Sequence, residues 1–146
     1  MKGRILAVCT SEEKGEKKKD VGQAMLIQNH GLEGDAHAGP WHRQVSLLSL
    51  TSVEKMRGRG IEINYGDFAE NLTVEGLDVW SLPVSTRLLV GTDVELEVTQ
   101  IGKECHLGCA IRQQVGDCVM PREGIFARVL QGGMVRVGDP IEVKNN

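Results

Sequence analysis

The stretch Thr86-Arg-Leu-Leu-Val90-Gly91-Thr-Asp93-Val94-Glu-Leu-Glu-Val98-Thr-Gln-Ile101 decides the fold class. In Val94-Glu-Leu-Glu-Val98 apolar and charged residues alternate with period two, which sends one set of side chains to each face of a strand. Residues 86–90 read as the strand before it, with Gly91-Thr-Asp93 as the turn between them. Residues 125–130, 134–137 and 141–143 repeat the design, separated by Gly132-Gly133 and Gly138-Asp139-Pro140. Upstream, residues 4–10, 23–28 and 45–50 are short and apolar, as buried strands are. Thr51-Ser-Val-Glu54 has capping-box spacing and predicts a short helix that ends by Gly58 or Gly60. Residues 61–63 are a further candidate strand, and residues 66–77 pass from a turn into one. Many short strands, glycine-rich turns and no strand–helix rhythm predict a mainly β fold, an antiparallel β-barrel with one or a few short helices.

The 146 residues suit one domain spanning 1–146. With 40% apolar and 25% charged residues the chain has the composition of a globular protein rather than a disordered one. A net charge of -3 lacks the basic footprint of a nucleic-acid binder. No apolar run approaches the ~20 residues of a membrane span, and no signal-like apolar region follows Met1-Lys2-Gly3-Arg4. A cytoplasmic protein is expected, without nucleic-acid or membrane partners. In that reducing compartment clustered cysteines point to catalysis, redox chemistry or metal binding rather than to disulfides.

Three of the four cysteines, Cys105, Cys109 and Cys118, fall within a fourteen-residue window. A reactive cysteine acts as the thiolate, which nearby cations favour, so Cys105, between Lys103 and His106 and upstream of Arg112, is the candidate reactive thiol. Cys109 follows four residues later; on a helix the two Cβ atoms would lie about 5–6 Å apart, close enough for Cys109 to discharge a persulfide on Cys105 as a disulfide. The competing reading is a metal site built from these thiols with His37, His42 or His106 as a fourth ligand, although paired Cys-x2-Cys knuckles are missing. Inert buried thiols are a third reading. Cys9, inside an apolar run, reads as a small buried hydrophobe.

Two polar regions precede the cysteines. Residues 11–20 carry four acids and four lysines and read as a solvated loop; a lysine patch for an anionic ligand is the other reading, weakened by the interleaved acids. Gly31-Leu-Glu-Gly34-Asp35-Ala-His37-Ala-Gly39-Pro40-Trp41-His42-Arg43-Gln44 reads as an irregular loop. Its glycines let backbone approach a ligand that Asp35, His37 and Arg43 then grip. Equally, Asp35 caps backbone amides in a structural turn. Glu70 and Asn71, at the start of a strand, fix loops or bind a ligand.

Taken in order, Gly34-Asp35-Ala-His37-Ala-Gly39, Glu70-Asn71-Leu-Thr-Val-Glu-Gly-Leu77, Gly91 leading through a strand to Cys105, and Gly124-Ile-Phe-Ala-Arg128-Val with Gly133 and Val137-Gly138-Asp139 resemble the MOSC domain. This is the C-terminal domain of molybdenum cofactor sulfurases, which also occurs as a stand-alone protein, and the likeness spans about residues 3–144. It implies a β-barrel, a pocket for the molybdenum cofactor (molybdopterin), and a cysteine that carries sulfur to the metal or ligates it. Cys105 occupies that cysteine's place. On this resemblance Cys105 is the expected catalytic residue and metal ligand; spacing adds Cys109 to the catalytic set and the competing metal reading adds Cys118 to the ligands, both beyond the family's minimal pattern. The resemblance marks Gly34, Asp35, His37, Glu70 and Asn71 as expected cofactor-binding residues, and the cationic side chains of Arg43, Lys103 and Arg112 join them on their own chemistry.

The implied function is a sulfur carrier that takes sulfane sulfur from a cysteine desulfurase and passes it to a molybdenum centre in a molybdoenzyme or cofactor-maturation protein. Pyridoxal phosphate is expected only on the partner desulfurase. Two alternatives are a molybdenum-dependent oxidoreductase that reduces N-hydroxylated compounds with a partner's electrons, and a non-catalytic metal-binding module. Many relatives carry a second histidine where this chain has Ala38, a glycine where it has Ala69, and a proline where it has Glu104.

Overall fold

The computed structural model describes residues 1–60, 62–102 and 123–144. In chain order the strands are β1 (Lys2–Thr10), β2 (Lys19–Asp20), β3 (Gln23–Ile27), β4 (Gly31–Leu32) and β5 (Val45–Ser49), followed by helix α1 (Leu50–Arg57). After it come β6 (Leu72–Glu75), a 3-10 turn (Val79–Ser81), β7 (Arg87–Val90), β8 (Val94–Ile101), β9 (Ile125–Gln131), β10 (Gly133–Arg136) and β11 (Pro140–Val143).

The main sheet runs β11-β7-β8-β9-β5-β6-β1-β2, and β11 pairs back onto β1, closing seven of these strands into a barrel. The alternation in β8 does what the sequence requires. Val94, Leu96 and Val98 are buried, while Glu95 and Glu97 stay half-buried and pair with Arg87, Lys144 and Arg128. With Ile5, Val8, Val45, Leu47, Leu72, Val74 and Ile125 the buried set forms the barrel core. A smaller sheet, β10-β3-β4, packs beside it.

The predicted barrel is present, but its sheet is mixed rather than antiparallel throughout, because β5 and β6 run parallel, with Leu47 opposite Leu72. A parallel neighbour requires a crossover rather than a hairpin. Helix α1 and the loop after it supply that crossover, a strand–helix–strand unit that the sequence rhythm did not reveal. The crossover lies on the barrel's outer wall, where Val53, Met56, Ile63, Phe68 and Ala69 cover the outward side chains Leu48 and Phe126.

The helix ends at Gly58 as predicted, but the capping box is not formed. Ser49 is the N-cap, with no side-chain cap bond, since β5 runs straight into the helix. Thr51 therefore sits inside the first turn and its hydroxyl donates to Asp78, while Glu54 pairs with Arg57. Residues 62–63 are not a strand; the Arg57 guanidinium donates to the Ile63 carbonyl and folds the chain back onto the helix. Nor are residues 11–20 a solvated loop throughout. Lys19 and Asp20 pair with the end of β1, and Lys18 is buried. Among the described residues no helix is long and apolar enough to cross a membrane.

Candidate functional site

The outward faces of β1, β6 and β5 form the floor of the site. Cys9 on β1, Thr73 on β6 and Ser46 on β5 are buried there, although the barrel interior is filled by their strand neighbours Val8, Leu72 and Leu47. Asn71 fastens the three strands together. Its side-chain carbonyl accepts from the Ser46 N–H (2.9 Å) and hydroxyl (3.1 Å), and its amide donates to the Cys9 carbonyl (3.0 Å).

Two loops close over this floor. The Lys18 N–H bonds the Gly66 carbonyl at 2.8 Å, and a Cβ at Gly66 would collide with the Lys18 carbonyl and crowd the Cys9 sulfur. Gly66 also has φ +94, so only glycine fits this close approach. Three residues on, Ala69 holds φ 64 in the left-handed region. This is the position at which the motif expects glycine, and an alanine there costs about 1–2 kcal/mol of strain.

Lys18 is the hub. Its side chain is sealed from solvent, its ammonium donates to Asp35 Oδ1 (2.7 Å) and Ser11 Oγ (3.0 Å), and Nζ lies 2.9 Å from His37 Nδ1. Asp35 sits in the turn after β4, its carboxylate accepting also from the backbone N–H of Ser11 (3.0 Å) and of His37 (3.2 Å). Burial pushes the Asp35 carboxyl up, but the hydrogen bond and charge of Lys18, with the Ser11 N–H and the Asn71 amide, hold it below the ordinary range. Burial draws the Lys18 ammonium below its ordinary value, opposed by Asp35. Asp35 thus does both things its sequence context suggested. It caps backbone amides and takes part in a charged cluster.

Glu70 lies beside this cluster, fully buried, with Phe68 N–H (3.1 Å) on one oxygen and the Thr73 hydroxyl (3.4 Å) on the other. Burial raises its carboxyl to about 7 despite the donors from its own backbone, Gly66 and Phe68. Cys9 is fully buried on the floor of the site. Burial, then the charges of Glu70 and Asp20, push its thiol far above the ordinary range.

The remaining expected residues fall into two groups. Gly34 stands open, with no atom within 4 Å of where a side chain would project, on a cleft of about 450 Å³ that Ser11, Lys17 and Lys19 also line. Arg43 points elsewhere, bonding Gln100 (3.1 Å) and stacking 5.2 Å over Phe126. Gln100 is two residues from Gly102, whose N–H pairs with the Gly124 carbonyl at 2.6 Å and closes the base of the segment between β8 and β9. Lys103, Cys105, Cys109, Arg112 and Cys118 belong to that segment and lie outside the described residues. Among the described residues no group of three or more His, Cys, Asp or Glu side chains is arranged to hold a metal.

Lys18, Ser11 and Ser46 were not singled out by the sequence. Nothing local separates Lys18 from Lys17 and Lys19; the available signal was Asp35, an acid in a glycine-rich turn that needs a cation once buried.

No curated protein sequence matches the chain. Among solved structures it is similar to the YuaD protein from Bacillus subtilis, at TM-score 0.82 and 20% identity over 98% of this chain and 96% of that one. It is also similar to YiiM from Geobacillus stearothermophilus (TM-score 0.74, 20% identity, 98% and 75% covered) and YiiM from Escherichia coli (TM-score 0.69, 19% identity, 100% and 71% covered). At such identities the likeness establishes the fold alone. The family model of the MOSC domain matches residues 33–142. That span covers most of the chain and contains Gly34, Asp35, His37, Glu70, Asn71 and the cysteine segment, so the chain belongs to the MOSC domain family, which is linked to the molybdenum cofactor.

Proposed function

We propose that the protein is a molybdenum cofactor-binding sulfur carrier whose Cys105 takes up sulfane sulfur in the cytoplasm. One observation supports this reading above others. The family's two ligand loops, Asp35/His37 and Glu70/Asn71, converge on one sealed polar cluster, and the first of them is tied through Arg43 to the base of the cysteine segment.

In the proposed step the Cys105 thiolate attacks the outer sulfur of a persulfide on a cysteine desulfurase. An S–S bond forms on Cys105, the donor's S–S bond breaks, and the donor leaves as its thiolate, so no external oxidant is needed. Lys103, His106 and Arg112 would favour the attacking thiolate. Pyridoxal phosphate belongs to the desulfurase, and the acceptor is a molybdoenzyme or a cofactor-maturation protein.

Lys17 and Lys19 line the cleft beside the open backbone at Gly34, but Glu12, Glu16 and Glu33 line it too, so the phosphate of the cofactor falls to Lys103 and Arg112 in this reading. In this reading Cys105 and Cys118 would hold the metal. When bound, the cofactor supplies a thiophilic metal centre to receive the sulfur.

The test is anaerobic purification with elemental analysis and pterin fluorescence, followed by incubation with a desulfurase and radiolabelled cysteine. The expected result is about one transferable sulfur per chain, lost in Cys105→Ser. Tightly held stoichiometric molybdenum without sulfur uptake would replace this reading with the oxidoreductase, and zinc alone with the metal-binding module.

A further inference from the structure

We propose that the outward face of the small sheet β10-β3-β4 is the contact surface of a twofold homodimer, in which Met25 packs on Met25 of a second copy and Arg136 of each copy meets Glu33 of the other. One face of this sheet is spent on the barrel, since Leu26 and Val135 belong to the core and Ala24 packs against it. Strand alternation sends Gln23, Met25 and Ile27 of β3, with Met134 and Arg136 of β10, to the opposite face.

The two sheets treat their outward positions differently. On β8 these positions are Glu95 and Glu97, each paired with cations of neighbouring strands. On β3 they include Met25 (40% exposed) and Ile27 (37% exposed), and Met134 stands directly opposite Met25. Val21 (49% exposed), from the turn before β3, joins Met25 and Met134 around a hollow of about 390 Å³. Single exposed apolar side chains are ordinary, but adjoining ones mark an interaction surface. Methionine suits such a surface, because its flexible thioether side chain adapts to what packs on it.

The charges choose the occupant. On the β4 side of β3, the Glu33 N–H bonds the Met25 carbonyl at 2.9 Å, which sets Glu33 beside Met25. On the β10 side, Arg136 stands opposite Gln23 and donates from Nε to its Oε1 at 3.2 Å. Neither Glu33 nor Arg136 belongs to an ion pair among the described residues. With an acid on one side of the apolar strip and a base on the other, the surface complements itself. A twofold axis along β3 lays β10 of one copy over β4 of the other and makes the same ion pair twice. Arg136 lies one two-residue step, about 7 Å, along β10 from the level of Met25, a step that the arginine side chain spans. With five residues in β3, the sheet face measures about 16 by 14 Å. That is well short of the ~800 Å² that each partner of a stable complex buries, so the dimer is weak, with a Kd on the order of 100 µM. Thr10, Val21 and Glu33 also line the cleft at Gly34, so the second copy sits at the rim of that cleft.

The test is analytical ultracentrifugation of the full chain from about 10 µM to about 1 mM at near-physiological salt. The expected result is a reversible monomer–dimer equilibrium without larger species, since a closed twofold contact leaves no free end. Met25→Lys sets two like charges together on the axis and should leave a monomer. Glu33→Arg and Arg136→Glu should each weaken the dimer about tenfold, and the two together should restore it, because the pair is then reversed and not removed. These side chains are exposed, so each variant should unfold within about 3 °C of the wild type. A chain still monomeric at about 1 mM, which would leave the face to a different partner, would overturn the proposal. So would larger species, a dimer indifferent to Met25→Lys, or a double charge reversal as weak as the single ones. If Met25→Lys does not fold, the charge reversals decide. No outcome depends on cofactor or sulfur binding, so the carrier reading can fail without touching this surface.

Discussion

Replacing Asp35 by Asn tests whether the sealed cluster is held by charge. The substitution keeps the shape of the side chain but leaves the Lys18 ammonium, which has no solvent exposure, without its counter-charge at 2.7 Å. Removing one partner of a buried pair costs about 3–5 kcal/mol. Lys18 has an escape route that sets the ceiling. It can lose its proton, which at pH 7 costs about 1.4 kcal/mol for each unit between 7 and the ordinary lysine value near 10.4, or about 5 kcal/mol. The destabilisation is therefore expected at about 3–5 kcal/mol at pH 7, a fall in Tm on the order of 10 °C for a chain of this size. It should shrink to about 2 kcal/mol at pH 9. Urea unfolding at both pH values, for Asp35→Asn, Lys18→Met and the double variant, measures this. The double variant removes both charges of the pair, so its loss should be well below the sum of the single losses, with a coupling of at least about 2 kcal/mol. Losses below about 1 kcal/mol in both single variants, or additive losses, would show that water screens the pair and would refute the sealed-hub description.

Two further expectations concern buried groups. The Glu70 carboxyl is raised to about 7 from an ordinary 4.5, so the folded state binds its proton more tightly than the unfolded chain does. This contribution is full below about pH 4.5 and is lost as pH rises through 7, by up to about 3 kcal/mol. Glu70→Gln should flatten the decline in unfolding free energy between pH 5 and pH 8, and an unchanged slope would assign the decline to other groups. Native protein treated with iodoacetamide at neutral pH should keep Cys9 unmodified by mass spectrometry, and urea should expose it; rapid native labelling would contradict its burial and raised thiol.

The amino-acid sequence alone determined the strands whose faces differ in polarity. Val94-Glu-Leu-Glu-Val98 admits one orientation on a barrel wall, because a one-residue slip would bury two glutamates and expose three aliphatic side chains. The ordered motifs around Asp35, Glu70 and Gly124 likewise carried the family, since glycine-dependent turns and polar strand starts are local features. The parallel pairing of β5 with β6 was not local. It depends on where the chain lands after α1, and the capping-box spacing at Thr51 gave way once β5 ran directly into the helix. Lys18 was decided by tertiary structure alone. In sequence it is one of three adjacent lysines, and it became the hub because Gly66 lets its backbone approach closely and Asp35, seventeen residues on, supplies the charge that makes its burial tolerable. Charge pairing across distant loops depends on three-dimensional distance, which no window of sequence contains.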